Sequence, residues 1–291
     1  MFTYVIRKKT KNKVFTLFMV KVVDVFLFFN ELDMLEMRLA ELYSVVDYFV
    51  IVESAHTFAG NLKPLYYKMN EERYAQYKDK IIHVPVTDMP NNGDPWANES
   101  HQRNCGYWGL TQCGPIEEWN DGDIILSGDC DEIYDVNVIK VFKQMVEDNS
   151  LTNFMYSLNM DMYYYNFKNK YVKDWFSAKI MSFKSFRETH AELHFIRLLE
   201  NVPVLNGKCG WHLSYFGTPE NVQTKIQEFS HQEYNHSRYT RLSSIKERMK
   251  EGKDLFCRDK NGSMWVPMQK LDKYLPIQWK KVAHLCDEEE E

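Results

Sequence analysis

The fold is decided by residues 22–53, VVDVFLFFNELDMLEMRLAELYSVVDYFVIVE. The apolar runs Val22–Phe29 and Tyr48–Glu53 each predict a buried strand. Between them leucines recur at helical spacing, which predicts a helix with one apolar face: Leu32, Leu35, Leu39 and Leu42. Asn30 is the expected N-cap of this helix. A strand, a helix and a strand within about 30 residues make a parallel unit with a crossover helix.

The same alternation continues along the next part of the chain. It predicts a polar helix, a strand, a longer helix and a third apolar strand, at Glu71–Lys80, Ile81–Val86, Glu99–Leu110 and Ile124–Leu126. Alternating elements of this kind predict an α/β fold with a mainly parallel central sheet flanked by helices. Residues 153–167 and 175–183 are instead aromatic and β-prone, and Thr218-Pro219 opens a further helix.

The domain organisation predicted from the chain is simple. Residues 14–286 form one domain, because no repeat, low-complexity region or linker divides them. Residues 1–13 are a basic arm and residues 287–291 an acidic tail, both expected to be solvated.

Composition excludes several classes of protein. The 291 residues are 44% hydrophobic and 26% charged, as in ordinary globular chains, and the net charge of -5 argues against a nucleic-acid partner. Lys21 and Asp24 interrupt the apolar run that follows the basic arm, whereas a membrane span needs roughly 20 nearly uncharged residues. The six cysteines are scattered, without the spacing of a disulfide scaffold. We therefore expect a soluble, cytoplasmic protein without a membrane span.

Acidic residues cluster in residues 121–135, DGDIILSGDCDEIYD, after a strand that is predicted to be buried. Ligands of open parallel sheets bind beyond the carboxyl ends of the strands. If the chain stays extended there, Asp129 and Asp131 point to the same side. Two carboxylates with phosphate oxygens and waters suit Mg²⁺ or Mn²⁺. The pattern alone leaves two alternatives open, metal ligands or solvated loop acids.

Two other patterns point to different functions. His190 and His194 have the i, i+4 spacing of a zinc pair on a helix, which would suit a metal-dependent hydrolase, although no Glu directly follows the first His. The aromatic stretches Tyr163–Phe167 and Trp175–Phe176 would suit a carbohydrate-binding module without catalysis. Packed or surface histidines, and aromatic residues in the core, explain the same patterns.

Four separated segments resemble family 17 of the glycosyltransferases, in that family's order along the chain. They are residues 28–39 (FFNELDMLEMRL) continuing to 46–54 (VDYFVIVES) with Thr57, Gly60 and 63–65 (KPL); 96–104 (WANESHQRN); 123–126 (DIIL) with 129–133 (DCDEI); and 210–214 (GWHLS) with Lys225. Together they span most of the chain, which makes the resemblance far more specific than any one motif.

The resemblance implies a fold of the GT-A type and an inverting enzyme that transfers a monosaccharide from a UDP-sugar donor to a glycan acceptor. N-acetylglucosamine is the implied sugar, with xylose or another hexose left open. The implied metal, Mn²⁺ or Mg²⁺, is held by Asp129 and Asp131, and His212 is expected to complete the site. The nucleotide-binding residues are expected to be Asn30, Glu31, Glu53, Arg103 and Lys225.

Ordinary structural roles compete with these assignments. Asn30 and Glu31 are equally suited to capping a helix, Glu53 and Arg103 to salt bridges, and His212 to core packing.

The general base of an inverting enzyme is expected between the Asp-x-Asp motif and His212. Glu192 is our prediction for it, with the alternatives Glu188, Asp161 and Asp174. Tyr134 stands where the family often has proline. No segment resembles the membrane anchor and stem of the animal members, so we expect a glycan acceptor other than their N-glycans.

Overall fold

A computed structural model describes residues 19–171, 173–258 and 272–285, together with the backbone of residues 9–10, 13–14 and 265–267. The acidic tail and most of the basic arm lie outside the described residues. The strands are β1 (Lys9–Thr10), β2 (Lys13–Val14), β3 (Val22–Phe28), β4 (Tyr48–Ser54), β5 (Ile81–Val86), β6 (Ile124–Asp129), β7 (Glu132–Tyr134), β8 (Met155–Ser157), β9 (Met160–Tyr164), β10 (Asn166–Tyr171), β11 (Lys179–Ser182), β12 (Gly210–Ser214) and β13 (Trp265–Pro267).

Helices occupy all four segments that the sequence predicted to be helical, and the structure adds further helices that were not predicted. The α-helices are α1 (Leu32–Leu42), α2 (Tyr66–Met69), α3 (Pro95–Gln112), α4 (Val136–Glu147), α5 (Phe183–Glu188), α6 (Leu193–Leu198), α7 (Pro219–Glu228), α8 (Ser237–Thr240), α9 (Leu242–Glu251) and α10 (Lys280–Ala283). The predicted helix Glu71–Lys80 is a 3₁₀ helix. None of the helices in the described part of the chain is both long and apolar enough to cross a membrane.

The predicted cap of α1 is wrong. Glu31, rather than Asn30, is the N-cap residue. The Glu31 carboxylate accepts hydrogen bonds from the backbone amides of Phe29 and Asn30, which precede the helix. It therefore binds the two residues that follow β3 instead of the first turn of α1.

The larger sheet has six strands in the order β5-β4-β3-β6-β11-β8. The strands β5, β4, β3 and β6 are parallel, whereas β11 is antiparallel to both of its neighbours. A second sheet, β13-β10-β9-β12-β7, is antiparallel except between β9 and β12. The predicted α/β class is therefore correct, but the sheets are mixed instead of mainly parallel. Tyr165 alone separates β9 from β10, and so short a connection allows only antiparallel pairing.

Alternation along β3 distributes its side chains between two hydrophobic layers. Val22, Phe26 and Phe28 pack in the layer that contains α1 and α4. Val23, Val25 and Leu27 pack in the layer that contains α3, α5 and α6. Successive side chains of a strand point to opposite faces of the sheet. Because both sets lie in a hydrophobic layer, β3 is buried on both faces, as the sequence predicted.

Helix α3 lies unusually close to the parallel strands. A Cβ on Gly109 would come within 2.1 Å of Val50 Cγ1, and one on Gly106 within 2.8 Å of Val25 Cγ1. Glycine at both positions permits this approach. As a result the first half of α3, with Gln102 and Arg103, lies beside the carboxyl ends of β3 and β6.

Candidate active site

A cavity of about 470 Å³ opens at the carboxyl ends of β3 and β6. This is within the usual range of small-molecule sites, about 300–1,000 Å³. Its walls carry Asp129 and Asp131 together with five cationic side chains, from Lys63, Arg103, Arg197, Lys225 and Arg258. Such a mixture of acids and bases suits a ligand that carries several negative charges and a cation.

A buried arginine fixes the backbone of the turn that bears the acids. The chain turns at Cys130 and Asp131 between β6 and β7, so it does not stay extended there as the sequence suggested. Arg38 of α1 forms a bidentate ion pair with Asp24, with distances of 2.8 and 2.6 Å. Its remaining nitrogen donates to the backbone oxygens of Asp129 and Glu132, at 2.9 and 2.7 Å. Both side chains of the pair are fully buried.

Two arginines hold the carboxylate of Asp129. Arg103 donates to Oδ1 at 2.9 Å, and Arg197 donates to Oδ2 at 2.6 Å. Burial opposes ionisation, but the two guanidinium groups outweigh it and lower the pKa of Asp129 to about 2. Arg197 also donates to both oxygens of the fully buried Glu132, which accepts a further hydrogen bond from the Trp175 indole. Asp129 is thus ionised, with each oxygen already bonded.

Asp131 faces Lys225 and His212. Lys225 Nζ lies 2.9 Å from Oδ2, and His212 Nε2 lies 3.6 Å from Oδ1. Burial again opposes ionisation, and Lys225 and His212 hold the pKa of Asp131 well below its usual range. His212 lies on β12, which pairs with β7, and its buried Nδ1 has no hydrogen-bond partner within the described part of the chain.

The donor atoms of Asp131 and His212 fit a divalent cation. Their 3.6 Å separation is too long for a hydrogen bond, yet short enough for both atoms to bind one ion. A carboxylate and an imidazole suit Mn²⁺, with phosphate oxygens and waters to complete its shell. The two oxygens of Asp129 are instead held by arginines, and the three predicted ligands do not converge as one group within residues 19–171, 173–258 and 272–285.

The cavity includes three of the five residues predicted to bind the nucleotide, Glu31, Arg103 and Lys225. Neither Asn30 nor Glu53 is among its lining residues. Glu53 is fully buried, where it accepts hydrogen bonds from the backbone amide of Tyr67 at 3.0 Å and pairs with His83 at 2.9 Å. The geometry therefore gives Glu53 the salt-bridge role that the sequence left open.

None of the four acids considered as the general base lines the cavity. Glu192 is exposed at the N-terminus of α6. Glu188 accepts a hydrogen bond from Asn153, and Asp174 pairs with Lys208. Asp161 is buried between Lys170 at 2.6 Å and Lys208 at 2.8 Å. The carboxylates that line the cavity are instead Glu31, Glu99, Asp129, Asp131 and Glu228.

The zinc and carbohydrate-binding hypotheses receive little support from the geometry. His190 is in a turn with a positive φ of 60°, whereas His194 lies in α6, so the two do not share a helix as the zinc hypothesis required. Of the aromatic stretches, Tyr164 and Trp175 line the cavity. Tyr163, Tyr165 and Phe167 are buried.

No pattern in the sequence indicated Arg197 or Lys63 as site residues. The partners of Arg197, Asp129 and Glu132, lie 68 and 65 positions away along the chain. Lys63 is largely buried beneath Phe29 and Tyr66, and that burial lowers its pKa although Glu53 opposes the shift. The segments that resemble the family include residues 63–65, but no local pattern indicates that Lys63 would bind a substrate.

Comparison with known proteins identifies the family. The family model described as glycosyltransferase family 17 matches residues 8–259. This chain therefore belongs to that family.

Curated relatives match a smaller part of the chain. The beta-1,4-mannosyl-glycoprotein 4-beta-N-acetylglucosaminyltransferases of Homo sapiens and Rattus norvegicus are each 30% identical to it over 110 residues. The match covers 36% of this chain and 20% of the length of each relative. Among solved structures, residues 1–349 of S. aureus TarS align with a TM-score of 0.40 at 12% identity, covering 78% of this chain and 69% of that one.

Proposed function

We propose that this protein transfers a monosaccharide from a UDP-sugar to a glycan hydroxyl, with inversion at the anomeric carbon and with the help of Mn²⁺ or Mg²⁺. The observation that carries the proposal is the facing pair Asp131 and His212, surrounded by cationic side chains in one cavity at the strand ends. A nucleotide diphosphate and a divalent cation are the ligands that best match this charge pattern. We also propose a fold of the GT-A type, because the chain belongs to family 17 and the cavity lies at the carboxyl ends of the parallel strands β3 and β6.

The departing diphosphate is the part of the substrate that most needs stabilisation. Asp131 and His212 would hold the cation, which when bound neutralises negative charge that grows on the leaving oxygens. Lys225 lies 2.9 Å from Asp131, and Lys63 lines the same cavity, so both ammonium groups can reach phosphate oxygens near that position. These groups are fixed before the reaction, which is the condition for effective electrostatic stabilisation.

The arginines have a different task, because their terminal guanidinium nitrogens already donate to carboxylates. Arg103 and Arg197 neutralise Asp129, and Arg103 also binds Glu99 at 2.9 Å. They hold the wall of the cavity in place and keep Asp129 ionised. An ionised, fixed Asp129 can accept hydrogen bonds from a donor hydroxyl or from water around the cation.

Transfer with inversion also needs a base for the acceptor hydroxyl. The acceptor oxygen attacks the anomeric carbon, the bond to the diphosphate breaks, UDP leaves, and a carboxylate takes the hydroxyl proton. Asp131 is too weakly basic for this task, and Glu99 is neutralised by Arg103. Glu228 lines the cavity and accepts hydrogen bonds from Asn61, but it forms no ion pair with any described side chain. We therefore assign the base to Glu228 in preference to Glu192.

Glu228→Gln is expected to lower kcat by at least about 100-fold, a typical contribution of a general base. The amide cannot accept the proton, but it keeps the shape of the side chain, so UDP affinity should be unchanged. Steady-state kinetics together with UDP titration measure both effects. Glu220→Gln, an exposed carboxylate on the same helix, is the matched control and should behave as the wild type. Loss of activity in Glu192→Gln but not in Glu228→Gln would restore the original assignment.

The proposed function itself is tested with a panel of nucleotide sugars and oligosaccharide acceptors, each with Mn²⁺ and with EDTA. We expect one UDP-sugar to be consumed, with UDP released in proportion to a glycosylated product. The product should carry the anomeric configuration opposite to that of the donor. UDP release with no dependence on any acceptor would favour a hydrolase, and donor activity confined to another nucleotide would contradict the proposal.

A further inference from the structure

Three metal-ligating side chains meet at a second position, outside the cavity. Asp88 follows β5, and His101 and Cys105 lie one turn apart on α3. His101 Nε2 is 3.2 Å from Asp88 Oδ1 and 3.7 Å from Cys105 Sγ. Within the described ranges, this is the one group of three or more such residues whose ligand atoms lie within 4.8 Å of one another. None of the three residues lines the cavity.

Hydrogen bonding alone explains this arrangement poorly. The carboxylate and the thiol approach the same ring nitrogen, Nε2 of His101, and one N–H cannot point well at both. A catalytic triad is also excluded, because it would use the two different nitrogens of the imidazole. The three ligand atoms lie within 4.8 Å of one another, which is close enough for them to bind a common ion.

The distances agree with tetrahedral zinc. Bond lengths of about 2.3 Å to sulfur and about 2.0–2.1 Å to nitrogen and oxygen, at tetrahedral angles, place sulfur roughly 3.6 Å and oxygen roughly 3.3 Å from the nitrogen. The observed separations are 3.7 and 3.2 Å. The residue types, a thiolate, an imidazole and a carboxylate, are those that zinc prefers.

We propose that Asp88, His101 and Cys105 form a Zn²⁺ site, with water in the fourth position. The Cys105 thiol is not part of a disulfide. A free thiol keeps its proton near neutral pH, because its ordinary pKa is about 8.5. Zinc replaces this proton at sulfur, and the proton is released to the solvent.

The metal would tie the loop after β5 to the outer surface of α3. The same helix carries Glu99, Gln102 and Arg103 into the cavity, from a different face. Zinc at this position would therefore stabilise the helix that positions Arg103. This role is structural and is independent of the cation proposed at Asp131 and His212.

The test is a titration of the purified, metal-stripped full chain with Zn²⁺ and, separately, with Co²⁺. We expect one equivalent of Co²⁺ to give the near-ultraviolet charge-transfer absorption of a cobalt–thiolate bond, and Zn²⁺ to remove it. Asp131 and His212 provide no thiolate, so this absorption reports the second site alone. Zinc should also raise the melting temperature by several degrees when it is far above its Kd, because it binds only the folded site.

Variants assign the signal to its residues. Cys105→Ser should abolish the charge-transfer absorption, and His101→Asn should weaken Co²⁺ binding at least about 100-fold. Cys257→Ser, which alters an exposed free cysteine elsewhere, should leave the absorption unchanged. Absence of the absorption in the wild type, or its persistence in Cys105→Ser, would overturn the proposal.

Discussion

Asp131→Asn is expected to lower metal-dependent transfer by at least about a thousandfold. Stabilisation of charge by a metal amounts to several kcal/mol, and each 1.4 kcal/mol or so changes the rate about tenfold. Asparagine keeps the size of the side chain but loses the negative charge that would hold the cation beside His212. Initial rates over a range of Mn²⁺ concentrations measure the effect.

A matched control separates this effect from general damage. Asp121 belongs to the similar motif Asp121-Gly-Asp123, which lies before β6 instead of after it. Its side chain is exposed and pairs with Arg187 at the surface. Asp121→Asn should therefore keep wild-type activity. If Asp131→Asn folds, as shown by circular dichroism, and still transfers sugar at a comparable rate, Asp131 does not hold the metal.

Arg38→Met is expected to destabilise the protein by about 3–5 kcal/mol, the usual cost of removing one partner from a buried ion pair. Asp24 would remain fully buried without a counter-charge, and the backbone oxygens of Asp129 and Glu132 would lose their donor. The free energy of unfolding in urea measures the change. Arg187→Met, at an exposed pair, should cost less than about 1 kcal/mol. Equal costs for the two variants would contradict this account of the buried pair.

The same variant should respond to pH in a defined direction. Burial raises the pKa of Asp24, and Arg38 opposes that shift in the wild type. Without Arg38 the pKa of the folded state rises further above that of the unfolded chain, about 3.9. The folded state of the variant then binds the proton of Asp24 more tightly. The loss in free energy of unfolding caused by Arg38→Met is therefore smallest below about pH 4 and grows as the pH rises.

The sequence predicted the parallel half of the larger sheet well, because β3, α1 and β4 are adjacent in the chain and each has a clear period. The antiparallel strands β8 and β11 lie in segments that were predicted only as β-prone, since no clear period marks their bounds. Their places in the sheet depend on pairing with strands that are distant in sequence, such as β6 with β11.

The site, like the fold, was predicted only in part. Asp131 and His212 were named from motifs, and the structure places them side by side. By contrast, the partners of Asp129 are 26 and 68 positions away, so no local pattern could show that its oxygens are held by arginines. Glu53 lies within β4, which continues to Ser54, and its carboxylate pairs with His83 instead of lining the cavity. Glu192 lies between two motifs in sequence, yet α6 leaves it exposed.

The central claim is that Asp131 and His212 hold a cation that binds the diphosphate of the donor. Calorimetric titration of the wild-type protein with UDP, in Mn²⁺ and in EDTA, tests this claim most directly. We predict that UDP binds at least about tenfold more tightly in Mn²⁺, a difference of about 1.4 kcal/mol. The difference should disappear in Asp131→Asn. The same UDP affinity for the wild type in Mn²⁺ and in EDTA would contradict the account.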